Sequence, residues 1–413
     1  MLQASASDAT DQIHSWSPCS DVLPIVTNRN EPIVVHIDKI RQAVDSLFRD
    51  LATALSLLFP SQMGIPSELE WNSKDDINAP NSFVDQDDFL TMMSPIYTRF
   101  TTDMHSPSEP SHKIWSNNNF QPDKFSKWLQ LGQRTLRTIF LILLLTGGGI
   151  PPKAFSIAAL QYRTTSEKNN LYLQGVLCFV WPKEKSDSQS RSALSDSLFA
   201  YPPRLNWFIF IYLGIIRRFA VETMTEQGWP LGEMESKLFV SPGTANECGS
   251  PWKPITIDSA LGDITGKIFG FQFKVFDLCQ LMQAIYSQHF EKGREKMGIV
   301  EAIPNCLSNH SQPIAANWYG RSNSKEDEWV KPCIAYSKAW HCWLGLIPYD
   351  PIIFAYLGNP PVLQRHRNEA AANKTVSTWV KDKGAKSLEK SDLGGFVYSS
   401  LAKVSLDRCL LPV

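Results

Sequence analysis

The feature that most constrains this chain is an apolar helical pattern from about Asp123 to Leu145. It stops at once in a triple glycine, Gly147 to Gly149, and a proline pair, Pro151-Pro152. Phe125, Trp128, Leu129, Leu136, Ile139, Phe140 and Leu143 recur at three- and four-residue steps, so a long helix must bury this stripe against partners. Glycine frees the backbone for a left-handed stop, and proline cannot continue the hydrogen-bond ladder. Wholly apolar runs do not exceed seven residues, the length of Ile139 to Leu145, which has Arg134 and Arg137 just upstream. A bilayer span needs about 20 residues, so the run predicts a core helix and no membrane partner.

A second helix is expected from Asp38, carrying Ile40, Val44, Leu47, Phe48, Leu51, Leu55 and Leu58 inward before Pro60. The patch from Phe89 to Phe100 predicts another. Met104 to Asn119 reads as a linker, rich in Ser, Asn and Pro. After the glycine turn come a short helical pattern through Phe155, Ile157, Ala158 and Leu160, and two strand-like runs, Asn170 to Gln174 and Val176 to Trp181. Their junction at Gly175 predicts a β-hairpin, whose far end leads into the charged loop PKEKSDSQSR. An apolar helix should span about Arg204 to Phe219, ending in Arg217-Arg218, with a short strand at Lys237 to Val240. Helical periodicity returns from Ile255 to Phe290, with Phe276, Cys279, Leu281, Met282 and Ile285 as candidate core residues, and again from Ile314 to Tyr319. Residues 1–30 have a disordered composition, and residues 346–413 read as an irregular tail, charged over 365–392.

Charge and cysteine usage narrow the function classes. The 413 residues carry 40 Lys and Arg against 41 Asp and Glu, a net charge of -1, so binding to nucleic acid has to come from local patches. Such clusters lie at Lys183/Lys185/Arg191, at Arg217-Arg218, at Lys292/Arg294/Lys296 and at Arg365-His366-Arg367. Eight scattered cysteines without a CxxC pair fit reduced thiols in a cytosolic or nuclear setting, and the amino terminus has no secretory signal pattern. The TGGGIPPK stretch is no phosphate-binding P-loop, since two prolines remove amides that the phosphates need. Cys306, His310, Cys333, His341 and Cys342 match no standard zinc spacing. No cofactor and no metal are expected.

The order TGGGIPPKAFSIAALQYR, lysine-bearing hairpin, FQFKVFDLCQLMQAI and NHSQPIAANWYGRS resembles the catalytic domain of tyrosine recombinases. It is most similar to the recombinase-like module of fungal Crypton-type elements and to the C-terminal module of subtelomeric RecQ-type helicase-like fungal proteins. The resemblance covers about residues 120–325, and Tyr319-Gly320-Arg321-Ser322 reproduces the family's YGRS. It implies a mainly α fold with a small β-hairpin sheet, of the tyrosine recombinase/integrase type, preceded by a helical N-terminal domain. The implied organisation is a disordered 1–30, a helical core-binding-like region with linker over 31–118, a recombinase-like domain over 119–345, and the tail.

Residue by residue, the resemblance puts Lys153 where the first catalytic arginine belongs. Lys185 takes the place of the hairpin lysine, with Lys183 as a close competitor. Cys279 stands in the place of the second arginine and Gln280 in that of its histidine. His310 and Tyr319 keep the family's nine-residue step, with Tyr319 at the position of the nucleophile. Lys183, Arg191 and Arg321 are candidate DNA contacts.

Such an enzyme needs a phenolate to attack a DNA phosphodiester, two arginines to clamp the phosphorane-like transition state and a lysine to protonate the leaving oxygen. Lys153 supplies a point charge without the bidentate fork, and Cys279 supplies no charge. One missing clamp residue costs about 3 kcal/mol of transition-state stabilisation, on the order of a hundredfold in rate. The expectation is a nuclear DNA-binding protein of mobile-element origin with a degenerate catalytic site, impaired or inactive in strand cleavage. Its expected partner is double-stranded DNA, with self-association on DNA and a helicase encoded elsewhere as further candidate partners. Two other readings stay open: an active recombinase or integrase with an altered clamp and Tyr319 as nucleophile, and a non-enzymatic helical module for protein interaction.

Overall fold

The computed structural model describes residues 22–26, 32–60, 63, 82–105, 114–116, 119–148, 151–152, 154–163, 170–173, 176–181, 197–285, 334 and 337–348. These are mainly helical with small antiparallel sheets. They fall into two compact units. The larger takes in the described residues of Val44–Gly147 and Pro152–Ala260, the smaller those of Met1–Ala43, Gly148–Pro151 and Leu261–Ser387.

Where the sequence is apolar and periodic, the helices form as expected. Helix α1, Ile37–Ser56, buries Ile40, Val44, Leu47, Phe48, Leu51 and Leu55, and Leu58 is buried in the turn before Pro60. Helix α2, Asp87–His105, buries Phe89, Met93, Tyr97 and Phe100. Helix α3, Pro122–Thr146, buries every residue of the expected stripe, and its Trp128 indole N–H donates to the Leu58 carbonyl at 3.1 Å. Aromatic edge-to-face contacts tie α2 and α3 to a common ring, a geometry that adds to plain area burial. Phe100 and Trp128 both meet the Phe219 ring, at 5.2 and 5.1 Å.

The stretch expected as a linker contains order at its end. Trp115–Ser116 (β3) and Asn119–Phe120 (β4) pair as a short antiparallel ladder. Trp115 reaches the Phe219 ring at 5.9 Å and Phe120 the Trp229 ring at 5.9 Å, so two aromatic side chains hold a segment whose composition is otherwise polar.

The short helix α4, Ala154–Ala158, and the hairpin of β5, Leu171–Leu173, with β6, Leu177–Trp181, match expectation. Strand β7, Ser197–Ala200, does not, since it lies just beyond the charged loop where no strand is expected. It pairs antiparallel with the other edge of β6, placing Phe199 opposite Phe179. Burial of Leu198, Phe199 and Ala200 explains its formation.

A larger correction concerns the helix expected to end at Arg217-Arg218. Helix α5, Pro203–Ile211, passes into a wide π turn, Tyr212–Arg217, and continues as α6, Arg218–Glu226. Gly214 lies in that turn, where an added Cβ would sit 2.7 Å from the Met93 side chain, so glycine permits the close approach of α2. Arg217 is only 2% exposed, so it is no solvated cation. Its guanidinium donates to the carbonyls of Leu238 at 2.6 Å, Met234 at 3.2 Å and Lys237 at 3.5 Å, and to the Tyr212 hydroxyl at 3.3 Å. Arg218 lies over the Tyr97 ring at 4.0 Å and pairs with Glu222 at 2.8 Å, while the Tyr97 hydroxyl donates to Glu222. Burial pushes the Tyr97 phenol well above its usual range. The strand expected over Lys237 to Val240 shrinks to β8, Val240–Ser241, paired with β9, Ser250–Pro251.

In the smaller unit, β1, Val22–Val26, pairs with β2, Pro32–His36, so the disorder expected for residues 1–30 does not hold over Val22–Val26. Alternation explains it: Leu23, Ile25, Ile33 and Val35 are buried, whereas Val34 is exposed. Strand β1 packs against a later helix, α8, Val275–Ile285. The helical stretch from Ile255 is broken at Gly270, with φ at 80°, into α7, Pro254–Phe269, and α8. No helix among the described residues is long and apolar enough to cross a membrane.

The two neighbouring arginines should behave very differently on truncation. Arg217→Ala leaves buried carbonyls without a donor and is expected to cost about 3 kcal/mol in urea unfolding. Arg218→Ala should stay below about 1 kcal/mol, because it removes a partly exposed pair.

Candidate functional site

Helix α8 carries the DLCQL segment, and its start is set by local chemistry. The Asp277 carboxylate accepts a hydrogen bond from the Lys274 amide at 2.9 Å, the returning half of a capping box. On the preceding helix α7, the buried Thr265 hydroxyl accepts from the Phe273 amide at 2.8 Å and donates to the Leu261 carbonyl. Val275, Leu278, Leu281, Met282 and Ile285 then face the core. Phe276 does not: expected inside, it is 54% exposed, because three- and four-residue steps from Leu278 and Leu281 leave it on the opposite face.

Cys279 lies at the edge of that core. Its thiol donates to the Pro151 carbonyl at 3.6 Å, a long contact suited to sulfur. Burial raises its pKa from an ordinary 9.0 to about 12, so it is a neutral thiol at physiological pH. It offers a phosphate no positive charge and no thiolate nucleophile. Gln280 beside it is half-buried and uncharged.

Pro151 belongs to the glycine–proline turn that ends α3. Gly148 takes φ at 79°, and a Cβ on it would meet the Trp340 side chain at 3.0 Å and the Ser337 backbone at 3.2 Å. Glycine is required there both for its conformation and for the space. The helical residues 337–343 are held in turn by Arg41, which donates to the Trp343 carbonyl at 3.1 and 2.8 Å and lies 5.5 Å from the Trp343 ring centre. The turn before Lys153 and the helix carrying Cys279 are thereby brought together within one unit.

Lys153, Lys183, Lys185, Arg191, His310, Tyr319 and Arg321 lie outside the described residues, as do the expected helix from Ile314 to Tyr319 and the basic clusters at Lys292 and at Arg365. Of the cysteine and histidine constellation, His341 and Cys342 are described and both are buried. Among the described residues no group of three or more His, Cys, Asp or Glu is placed to hold a metal ion. Arg217 leaves the set of candidate DNA contacts, since its guanidinium points at carbonyls inside the larger unit.

The state of Cys279 has a direct chemical readout. At pH 8, peptide-resolved alkylation of the folded protein should modify the exposed Cys248 and spare Cys279. An unfolded chain releases the Cys279 proton near pH 9, whereas the folded one keeps it until about 12, so this residue's contribution to stability is complete below pH 9 and fades as pH climbs through that window. Compared with protein-family models, with curated proteins and with solved structures, the chain matches none.

Proposed function

We propose that the chain is a nuclear DNA-binding protein of mobile-element origin, built on a tyrosine recombinase-like plan whose catalytic site has degenerated. The observation that carries this reading is the contact of Cys279 with Pro151. It sets the helix bearing DLCQL against the turn leading into Lys153, the two segments in which a recombinase of this type carries its arginine clamp. The element order supports it as well. A long helix closes on a glycine turn and is followed by a short helix and a three-stranded antiparallel sheet. Lys183 and Lys185 fall in sequence between the ends of β6 and β7, where the family places its lysine.

Chemistry argues for binding without efficient cleavage. Phosphoryl transfer through a phenolate needs fixed positive charge on the non-bridging oxygens. At the second clamp position stands a thiol that burial keeps protonated. Tyr319 retains the position of a nucleophile in YGRS but lacks the electrophilic help that makes attack fast.

Incubation of the full chain with nicked suicide duplexes tests this, with products read on native and denaturing gels. The expected outcome is a duplex retarded at low salt and no covalent protein–DNA adduct. An adduct that disappears in Tyr319→Phe would instead establish an active recombinase with an altered clamp. No retardation of any duplex at low salt would leave a non-enzymatic interaction module.

A further inference from the structure

We infer that the exposed stripe of helix α3 is a duplex-DNA backbone interface; this rests on the DNA-binding reading above and names a surface for it. After its first two residues, the only exposed positions of α3 are Lys124, Lys127, Gln130, Arg134 and Arg137. At 100° per residue the four cations fall within an arc of about 140° and extend along the helix for about 20 Å. Asp123, in the first turn, is the helix's sole acid.

Some helix cations of the chain are neutralised by an acid on their own helix, while others, such as Lys39 and Arg49, have no ion pair among the described residues. Arg41 pairs with Asp38, Arg99 with Asp103 and Arg218 with Glu222, each at helical spacing. None of Lys124, Lys127, Arg134 and Arg137 forms an ion pair among the described residues. In a chain of net charge -1, a row of exposed cations with one acid on their helix is a local surplus of charge.

A duplex matches that surplus better than other polyanions do. B-DNA carries one phosphate per about 3.4 Å of axis on each strand, so a 20 Å row of cations lies alongside several phosphates at once and releases their counterions. Single-stranded nucleic acid is gripped largely by stacking on exposed aromatic side chains. This stripe has none, since Phe125 and Trp128 of the same helix are buried.

The test is fluorescence anisotropy of a labelled duplex of arbitrary sequence, titrated with the full chain between 50 and 200 mM salt. The stripe variant is Lys127→Gln/Arg134→Gln/Arg137→Gln; the charge-matched control is Lys39→Gln/Arg49→Gln/Lys253→Gln, at exposed cations elsewhere. The stripe variant should bind about tenfold or more weakly, with its log K against log salt slope shallower by about 2.7, while the control keeps the wild-type slope. A stripe variant that melts like the wild type and binds with unchanged affinity and slope would sink the inference and leave the DNA-binding reading standing. Wild-type protein that ignores the duplex would remove both. Tighter, stripe-dependent binding of poly-glutamate than of duplex would reassign the surface to an acidic protein partner.

Discussion

The larger unit depends on one buried guanidinium. Arg217 holds the carbonyls of Met234, Lys237 and Leu238, so the segment 234–238 is fixed to the helical run 203–226. That segment in turn fixes the strand-like stretch after α4: the Leu238 amide donates to Leu160, the Tyr162 amide to Ser236, and the Tyr162 hydroxyl to the Met234 carbonyl. The neighbouring Arg163 then forms an ion pair with Asp85 at 2.6 Å. A charge this deeply buried is tolerated because carbonyl dipoles and two tyrosine rings replace its water.

Helices whose stability comes from a periodic apolar face were legible in the sequence, and α1 and α3 bury the residues their spacing selects. The elements that escaped depend on partners remote in sequence. Strand β7 is short and follows a charged loop, so only its ladder with β6 identifies it. The wide turn in 203–226 hides inside an unbroken apolar run, where periodicity marks a helix but not its local pitch. Arg217 looks like a C-terminal cation in sequence and becomes an internal one because the helix continues.

The candidate site was legible as an order of motifs, and the two motif residues that the structure describes, Cys279 and Gln280, fall on the helix the pattern assigned. Residue type already makes Cys279 uncharged at neutral pH, and burial extends that neutral state well into the alkaline range. The stripe on α3 is not legible in the sequence for a different reason. Lys124, Lys127, Arg134 and Arg137 are spread over fourteen residues and meet only on a helix surface.

The wide turn also acts as a phase shifter. A π turn takes in one residue more than an α-helical turn, so everything after it is rotated by about 100° relative to an uninterrupted helix. Arg218 and Glu222 meet Tyr97 in that rotated setting. Deleting one residue between Tyr212 and Arg217 would leave composition and helicity almost untouched, yet it would swing both charges away from the tyrosine and carry Arg217 off its carbonyls. Length variation in this helix is therefore more harmful than substitution on its surface, so its residue count is as tightly constrained as Gly214 and Arg217 themselves.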